Sequence, residues 1–503
     1  MTCSPHVPGV IRPRCSPFGA TPPLRSSHLS DELTNFGDEP PKVFKLGMEM
    51  PLVRKVMGLG SWVMLAMITQ FFVNYADTLM VGRLEGPEAS ASQAALGLGM
   101  PFFWAVGGFF AAVGAGTQAI TGRRYAESDY KGTGQVLANS LIIAVTAGIF
   151  GSIFGYFVTE PGIGFLATAS TEQEVLGIRY TELRMMGVAG MVITFSYKAF
   201  FDGIGRTYVH LWAALAMNLF NIVLNYFFIF GNESLGIPRM ALAGAGIASV
   251  ISTYLGLAIM VFVSLRGHYR VKYVIYKVRH YDPTIIRNII KLLIPSGSAT
   301  VILMTGFALF MRFVGDIDAV EGTNTFSAAT KAIMDTTALC FMPMIAFGTA
   351  TATCVSQSLG AGKPNLAARY GWESARVGAL SMIVLGAVFM AFPEQIIGVL
   401  APNDPAVPLA AATSLRITTT ALPLMAVGLI LAQALYGAGA NTFVAVAEGF
   451  LHFGILVPGS WLLGPVLGYG MEGVWIAATL YANLLGLVMG AKFFGSSWRR
   501  IRL

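Results

Sequence analysis

Long apolar stretches recur along the chain, separated by shorter polar connections. A helix of about 20 residues crosses a bilayer and satisfies its own backbone hydrogen bonds there. The strands of a membrane β-barrel are only about 10 residues long and alternate in polarity, which these stretches do not. The pattern therefore predicts an all-α membrane protein with twelve transmembrane helices, at about residues 56–82, 93–120, 133–158, 181–203, 208–231, 241–265, 288–315, 325–357, 373–400, 412–436, 443–466 and 472–495.

The composition excludes a soluble globular protein. Hydrophobic residues make up 55% of the 503 residues and charged residues 12%, whereas soluble domains contain about 25% charged residues. The four cysteines lie in the amino-terminal tail or in apolar spans, so no disulfide framework is expected. The net charge of +7 is typical of basic loops beside a membrane, and no nucleic-acid partner is expected.

The charges of the loops and the even number of spans predict how the protein is oriented in the membrane. Residues 1–45 combine Pro, Ser and mixed charges without an apolar period, which predicts a disordered tail. An even number of spans places both termini on one side, and Lys and Arg concentrate in the connections on that side, above all in 266–287. By the positive-inside rule, both termini and this connection are expected in the cytoplasm, and the protein in the cytoplasmic (inner or plasma) membrane.

Two short segments repeat between the halves of the chain. Gly203 to Thr207, after the fourth span, recurs at Gly437 to Thr442, after the tenth. Residues 243–248 in the sixth span likewise resemble 472–477 in the twelfth. Because each repeat then holds six spans, the halves insert in the same orientation. This predicts two six-helix lobes, 46–265 and 288–503, related by a pseudo-two-fold axis along the membrane normal.

Three segments resemble signatures of the multidrug and toxic compound extrusion (MATE) family. They are Asn-Tyr-Ala-Asp-Thr-Leu-Met-Val-Gly at 74–82, Asn-Ile-Val-Leu-Asn-Tyr at 221–226, and 341–362, which runs from Phe-Met-Pro to Gln-Ser-Leu-Gly-Ala-Gly. The resemblance covers about residues 50 to 495 in motif order. It implies a twelve-helix, two-lobed secondary antiporter that exports organic compounds against inward H⁺ or Na⁺.

Differences from the family pattern indicate which branch of the family the chain resembles. Family members often carry Asp at the position of Asn225, so a second amino-lobe carboxylate is missing. The tenth span has no acidic residue, and the seventh offers Arg312 where the NorM-like branch carries an acidic residue. The pattern therefore looks nearer to the DinF-like branch, in which the Asp of the first span, here Asp77, is the main titrating group.

Asp77 is the residue most strongly predicted to serve a function. It lies five residues before Gly82, about 8 Å from the outer end of the first span, and a charged carboxylate inside an apolar helix is rare unless it lines a cavity or binds an ion. Oxygen ligands suit hard cations, so we expect a proton or cation site, with Na⁺ as the candidate metal. The neutral groups expected beside Asp77 at similar depth are Asn218, Asn221 and Asn225 on one face of the fifth span and Ser249 of the sixth.

Structural roles stay open for these residues. Asp77 can lie at a wetted interface, and the asparagines can bridge helices. The carboxyl-terminal half offers two pairs spaced i and i+4, Lys331 with Asp335 and Glu448 with His452. Each pair is a candidate for substrate binding or proton relay, and each can instead be a pair that neutralises itself within one helix.

The function predicted from the sequence is cation-coupled export of small amphipathic or cationic organic compounds, without enzymatic activity. No cofactor is expected, the coupling ion is H⁺ or Na⁺, and the partners are small molecules and the lipid bilayer, with the protein a monomer. One alternative is a flippase for lipid-linked oligosaccharides or other lipids of the same superfamily. Another is a polytopic membrane enzyme, although only one of the six histidines, His452, lies well inside a span.

Overall fold

The computed structural model describes residues 36–41, 47–84, 87–166, 171–276, 281–323, 325–400 and 405–503. Most of the tail predicted to be disordered, and residues 277–280 of the basic connection, lie outside the described residues. From Asp38 to Leu503 the described chain forms one unit, and its regular structure is helical, as the apolar pattern predicts.

Within the described residues, the amino-terminal half supplies eight α-helices, followed by a ninth in the basic connection. They are α1 (Met50–Val81), α2 (Pro87–Ala111), α3 (Val113–Ala126), α4 (Tyr130–Leu166), α5 (Thr171–Met185), α6 (Val188–Gly203), α7 (Tyr208–Phe230), α8 (Ala241–Leu265) and α9 (Gly267–Tyr273).

The carboxyl-terminal half supplies eight more helices. They are α10 (Pro283–Glu321), α11 (Thr325–Gly360), α12 (Pro364–Ala391), α13 (Pro393–Leu400), α14 (Ala406–Thr419), α15 (Leu422–Ala438), α16 (Asn441–Leu451) and α17 (Gly470–Phe494). After α16 the helix continues to Val466 through two π-helical turns, His452–Leu456 and Leu462–Val466.

The membrane spans follow the predicted order. Among the described residues, ten helical segments are long and apolar enough to cross a membrane, and α14 with α15 forms an eleventh span bent by 58°. The fourth predicted span is built from α5 and α6, which are separated by a break at residues 186–187. Twelve spans in two halves of six result, so the predicted fold class is confirmed.

The predicted bounds of the ninth span are wrong. It runs over Pro364–Ala391 rather than 373–400, and Pro393 opens the short helix α13. Proline has no N–H and disfavours a helical conformation in the residue before it, so the long helix ends there. Its first turns were missed because they are charged: Arg369 donates to Glu49, and Arg376 donates to Glu373 at 2.7 Å.

Glycine explains why the two sequence repeats recur. Gly205 and Gly439 occupy equivalent places in the first repeat, and both take positive φ, at 73° and 87°, where the helices α6 and α15 end, a conformation that glycine adopts without strain. In the second repeat, a Cβ on Gly244 would lie 2.4 Å from the carbonyl oxygen of Phe228, and one on Gly473 would lie 2.4 Å from that of Leu463. The last span of each half therefore packs against the backbone of the span before it through the same close approach.

Candidate functional site

A cavity of about 570 Å³ lies in the amino-terminal half and extends to the carboxyl-terminal half. Helices α1, α2, α3, α5, α6, α7 and α8 supply most of its lining, and α10, α11 and α15 supply five residues. This volume is in the range of small-molecule sites. Most lining residues are apolar or aromatic, and the ionisable ones are Asp77, Arg184, Lys198 and His210.

Asp77 begins a chain of hydrogen bonds that joins three helices. The Nδ2 group of Asn225 on α7 donates to Asp77 Oδ1 on α1 at 2.5 Å and to Asn221 Oδ1 at 3.1 Å. Asn221 Nδ2 then donates to Ser249 Oγ on α8 at 3.4 Å. The four side chains are buried, with Asp77 and Ser249 6% exposed and Asn225 fully enclosed. The structure thus brings together four of the five residues predicted for the amino-terminal site.

The helical period of α7 explains this arrangement. Asn218, Asn221 and Asn225 are spaced i, i+3 and i+7, so they share the face of α7 that packs between α1 and α8. Asn218 also lines the cavity, but its Nδ2 group donates to Thr69 Oγ1 on α1 at 2.9 Å and does not join the Asp77 chain. Asn218 therefore bridges two helices one turn away from the others.

One acceptor atom in the set of hydrogen bonds that begins at Asp77 is unused. The Oδ1 atom of Asn225 is buried and has no hydrogen-bond partner among the described residues, although buried polar atoms are normally satisfied. The Asp77 carboxylate and this amide oxygen are both hard ligands. The carboxylate itself lines the cavity, where it can bind a proton or a cation.

The two candidate pairs of the carboxyl-terminal half lie outside the cavity lining. Lys331 donates to Asp335 at 2.9 Å in an ion pair whose side chains are 73% and 49% exposed. The Nδ1 atom of His452 bonds to the backbone oxygen of Glu448 at 2.8 Å, so the imidazole does not pair with the Glu448 carboxylate as the spacing had suggested. The first π-helical turn begins at His452. The His452 ring packs against the Tyr481 ring, with their centroids 4.5 Å apart.

Sequence reasoning missed Arg184 as a residue of the cavity. It lies one residue before the end of α5, and its guanidinium sits 4.4 Å from the centroid of the Phe103 ring. It lines the same cavity as Asp77, and within the described part of the chain the two groups do not form an ion pair. The signal was present, because Arg184 lies in the predicted fourth span near the end whose loops are expected to carry acidic rather than basic residues.

The family model described as MatE matches residues 63–227 and 295–462. The chain belongs to the MatE family. The match covers more than half of the chain and includes residues 74–82, 221–226 and 341–362, where the sequence resemblance was found.

Relatives of known name agree with this MatE assignment. The chain is 23% identical over 458 residues to multidrug resistance protein PmpM of Pseudomonas aeruginosa, covering 90% of this chain and 93% of that protein. It is 26% identical over 454 residues to multidrug resistance protein NorM of Burkholderia vietnamiensis, covering 86% and 92%. The interpretation as a membrane enzyme is thereby set aside, and membership of the DinF-like branch stays a prediction.

A solved MatE structure shares the fold. A multidrug resistance MATE family transporter of the MOP superfamily, in an outward-facing conformation, superposes with a TM-score of 0.77 at 21% identity. The superposition covers 89% of this chain and 96% of that one.

The two halves of the MatE fold meet closely at one end of the bundle, which we call the closed end, where α3, α6, α11 and α15 terminate. Arg123 of α3 donates to the backbone oxygens of Ala438 at 2.8 Å and Ile501 at 2.6 Å. Gln357 of α11, which occupies the place of Arg123 in the other half, donates to the backbone oxygen of Gly203 at 2.8 Å. Equivalent side chains of the two repeats thus each bind the end of a helix in the opposite half.

A second set of contacts at the closed end connects to the cavity. Gln118, which lines the cavity, donates to Thr353 Oγ1 at 2.9 Å, and Thr353 donates to the backbone oxygen of Asp202 at 3.0 Å. The Asp202 carboxylate accepts from Lys198 at 2.7 Å, so the cavity lysine is neutralised by its own helix. The opposite half therefore closes the cavity where α6 and α11 meet.

Proposed function

We propose that this MatE member is a secondary antiporter that exports small amphipathic or cationic organic compounds in exchange for H⁺ or Na⁺ entering at Asp77. It acts in the cytoplasmic membrane with both termini in the cytoplasm, so that the closed end faces the cytoplasm. The observation that carries the proposal is the Asp77 carboxylate, buried in a ligand-sized cavity and bonded to the neutral amide of Asn225. The multidrug resistance names of the relatives support the substrate class.

Exchange follows from competition at a single carboxylate. A cationic group on the substrate and the coupling ion both bind the charged form of Asp77, so binding of one lowers the affinity for the other. A ligand shifts a conformational equilibrium only by its difference in affinity for the two states. Alternate opening of the closed end and of the opposite end then couples inward movement of the ion to outward movement of the substrate.

The cavity lining fits varied apolar bodies. Phe71, Phe103 and Trp104 present aromatic faces, and Met67 and Met191 present flexible thioethers. Aromatic faces attract organic cations, and methionine adapts to irregular shapes. Such a lining suits a set of flat lipophilic compounds better than one substrate of fixed shape.

The experiment that tests the proposal is ethidium transport in proteoliposomes under separately imposed pH and Na⁺ gradients. Wild type is compared with Asp77→Asn, and Asp335→Asn is the matched control because it makes the same change in an exposed ion pair. We expect one of the two gradients to drive transport in wild type and in the control, with no gradient-driven transport in Asp77→Asn. The effective gradient identifies the coupling ion.

Two results would contradict the proposal. One is wild-type transport by folded Asp77→Asn, which would remove Asp77 from the coupling step. The other is the absence of ethidium transport by folded wild type under both gradients, which would favour a flippase, to be tested with lipid-linked substrates.

A further inference from the structure

Aromatic and basic side chains gather where the chain leaves α8 and enters the short helix α9. Tyr269 and Tyr273 lie one turn apart on the buried face of α9, and their rings stack with centroids 6.4 Å apart. The Lys272 ammonium lies 4.1 Å from the centroid of the Tyr130 ring. The rings of Tyr125 and Tyr273 lie 5.8 Å and 5.6 Å from the same ammonium. Aromatic contacts around one lysine therefore hold α9 against the end of α3 and the start of α4.

A second cation, Arg206, lies beside this lysine. Arg206 belongs to the connection between α6 and α7, two residues before Tyr208, whose hydroxyl lies 3.4 Å from that of Tyr269. Burial and the charge of Arg206 both lower the pKa of Lys272, which is the effect that a like charge nearby has on an ammonium. Arg206, Lys272 and Tyr208 are all half-buried. We call the following residues the basic cluster: Arg206, Lys272, Tyr125, Tyr130, Tyr208, Tyr269 and Tyr273.

The basic cluster has no counter-ion within the part of the chain that the structure describes. The ion pairs there include neither Arg206 nor Lys272. Residues 277–280, which follow this segment in the sequence, are Lys, Val, Arg and His and add no carboxylate. The positive-inside rule accounts for basic residues in a loop, but it does not require two of them to be half-buried side by side. Because a charge withdrawn from water is costly without a partner, the cluster is suited to an anion from outside the protein.

The basic cluster lies at the boundary of the membrane. Helix α8, which is long and apolar enough to span the bilayer, ends only two residues before α9 begins. Phe262 in the last turn of α8 is 62% exposed, and Val271 on α9 is 77% exposed. The Arg266 guanidinium lies 5.5 Å from the centroid of the Phe262 ring. Exposed apolar side chains next to basic ones are typical of a surface that contacts lipid headgroups and acyl chains together.

We infer that the basic cluster binds the phosphate group of an anionic phospholipid in the leaflet at the closed end. Arg206 offers a planar fork to the phosphate oxygens, and Lys272 offers a second positive charge. Only one of the hydroxyls of Tyr208 and Tyr269 can donate to the other, so one proton of this pair stays available to the phosphate. A zwitterionic lipid also carries a phosphate, but its cationic headgroup meets repulsion from both basic side chains. The inference concerns the lipid that surrounds the protein and goes beyond the proposed transport function.

Two lipids with different headgroups test the inference. Purified full-length protein in detergent is titrated with phosphatidylglycerol and, separately, with phosphatidylcholine of the same acyl length, and bound lipid is counted by native mass spectrometry. We expect wild type to bind phosphatidylglycerol about tenfold more tightly or better, the range for two basic residues beside an anionic lipid. Glycerol phosphate, which carries the phosphate without acyl chains, is expected to leave the lipid bound when both are present at equal concentration.

Arg206→Gln/Lys272→Gln is expected to lose this preference for phosphatidylglycerol. Arg54→Gln/Arg500→Gln is the matched control, because it removes two exposed charges at the same end of the bundle from positions outside the cluster. The control should change the preference by less than about threefold, since salt screens exposed charges that lie away from the bound lipid. Arg206→Gln alone leaves the aromatic contacts of Lys272 intact and should cause part of the loss. Size-exclusion profiles and thermal unfolding without lipid verify that each variant is folded.

Three results would overturn the inference. Equal binding of the two lipids by wild type would show that the cluster does not select an anionic headgroup. An equal loss of preference in the cluster variant and in the control would show that only the total positive charge matters. Displacement of phosphatidylglycerol by glycerol phosphate at equal concentration would assign the site to a soluble phosphate compound.

Discussion

The two halves share a backbone repeat but treat buried polar groups differently. In the amino-terminal half, Asp77, Asn221, Asn225 and Ser249 bond to one another across three helices, and all of them except Asn225 line one cavity. At the offset that relates the glycines of the first repeat, Asp77 corresponds to Met311 and Asn225 to Gly459, which carry no comparable group.

In the carboxyl-terminal half, the two candidate pairs and Asn483 are satisfied along their own helices. Lys331 pairs with Asp335, His452 bonds to the Glu448 backbone, and Asn483 donates to the Thr479 backbone at 2.9 Å. A hydrogen bond within one helix does not depend on the position of neighbouring helices. A hydrogen bond between two helices changes when those helices move. Coupling is therefore expected to depend on the amino-terminal half.

The largest effect among the neutral residues is expected for Asn225→Leu, compared with Asn483→Leu. The first change leaves the Asp77 carboxylate without its amide donor, which costs roughly 1–3 kcal/mol for a buried group. We expect the apparent affinity for the coupling ion to shift by about tenfold or more in Asn225→Leu and by less than threefold in Asn483→Leu. Transport rates measured against pH and against Na⁺ concentration test this. Equal shifts in the two variants would remove the distinction between the halves.

An intermediate effect is expected at the closed end, where adjacent arginines allow a matched comparison. Arg123 donates to two backbone oxygens of the opposite half, while Arg124 forms an exposed ion pair with Asp129 at 3.4 Å. Arg123→Gln should destabilise closure by about 1–3 kcal/mol, and Arg124→Gln by under about 1 kcal/mol.

The measurement for the closed end is the distance distribution between spin labels at Glu127→Cys and Lys363→Cys, in a background with the native cysteines replaced. These positions lie on the two loops next to Arg123 and Gln357. A longer-distance population should grow in Arg123→Gln and stay as in the parent in Arg124→Gln. An unchanged distribution in Arg123→Gln would show that its hydrogen bonds do not hold the halves together.

The smallest effect is expected for the double variant Lys331→Met/Asp335→Leu. Exposed ion pairs contribute about 0–1 kcal/mol, and this pair lies outside the cavity lining. Thermal unfolding and ethidium transport should both stay close to wild type. A severe loss of transport with an unchanged unfolding temperature would assign the pair a direct role in transport.

Periodicity predicts the part of the site that depends on a single helix. Asn218, Asn221 and Asn225 share a face because their spacing follows the helical repeat, and Gly244 allows α8 to pack closely against α7. Which partner each asparagine binds was not predictable from the sequence. The partner of Asn218 is Thr69, a neutral residue that belongs to no recognised motif.

The features that the sequence did not predict depend on a break between two helices and on a contact between helices. Arg184 lines the cavity one residue before α5 ends at Met185, and the next helix begins at Val188. The pattern of apolar residues does not indicate this break between the helices. The start of α12 was missed because its charged first turn is stabilised by Glu49, which precedes α1. A contact between residues far apart in sequence decided the second case.

The most direct test is whether substrate binding displaces the coupling ion from Asp77. Purified wild type and Asp77→Asn are titrated with ethidium in weakly buffered solution, while released protons and, in a parallel sample, displaced radioactive Na⁺ are counted. We expect wild type to release H⁺ or Na⁺ as ethidium binds, and Asp77→Asn to release neither. Equal release from both proteins would contradict the assignment of the coupling site to Asp77.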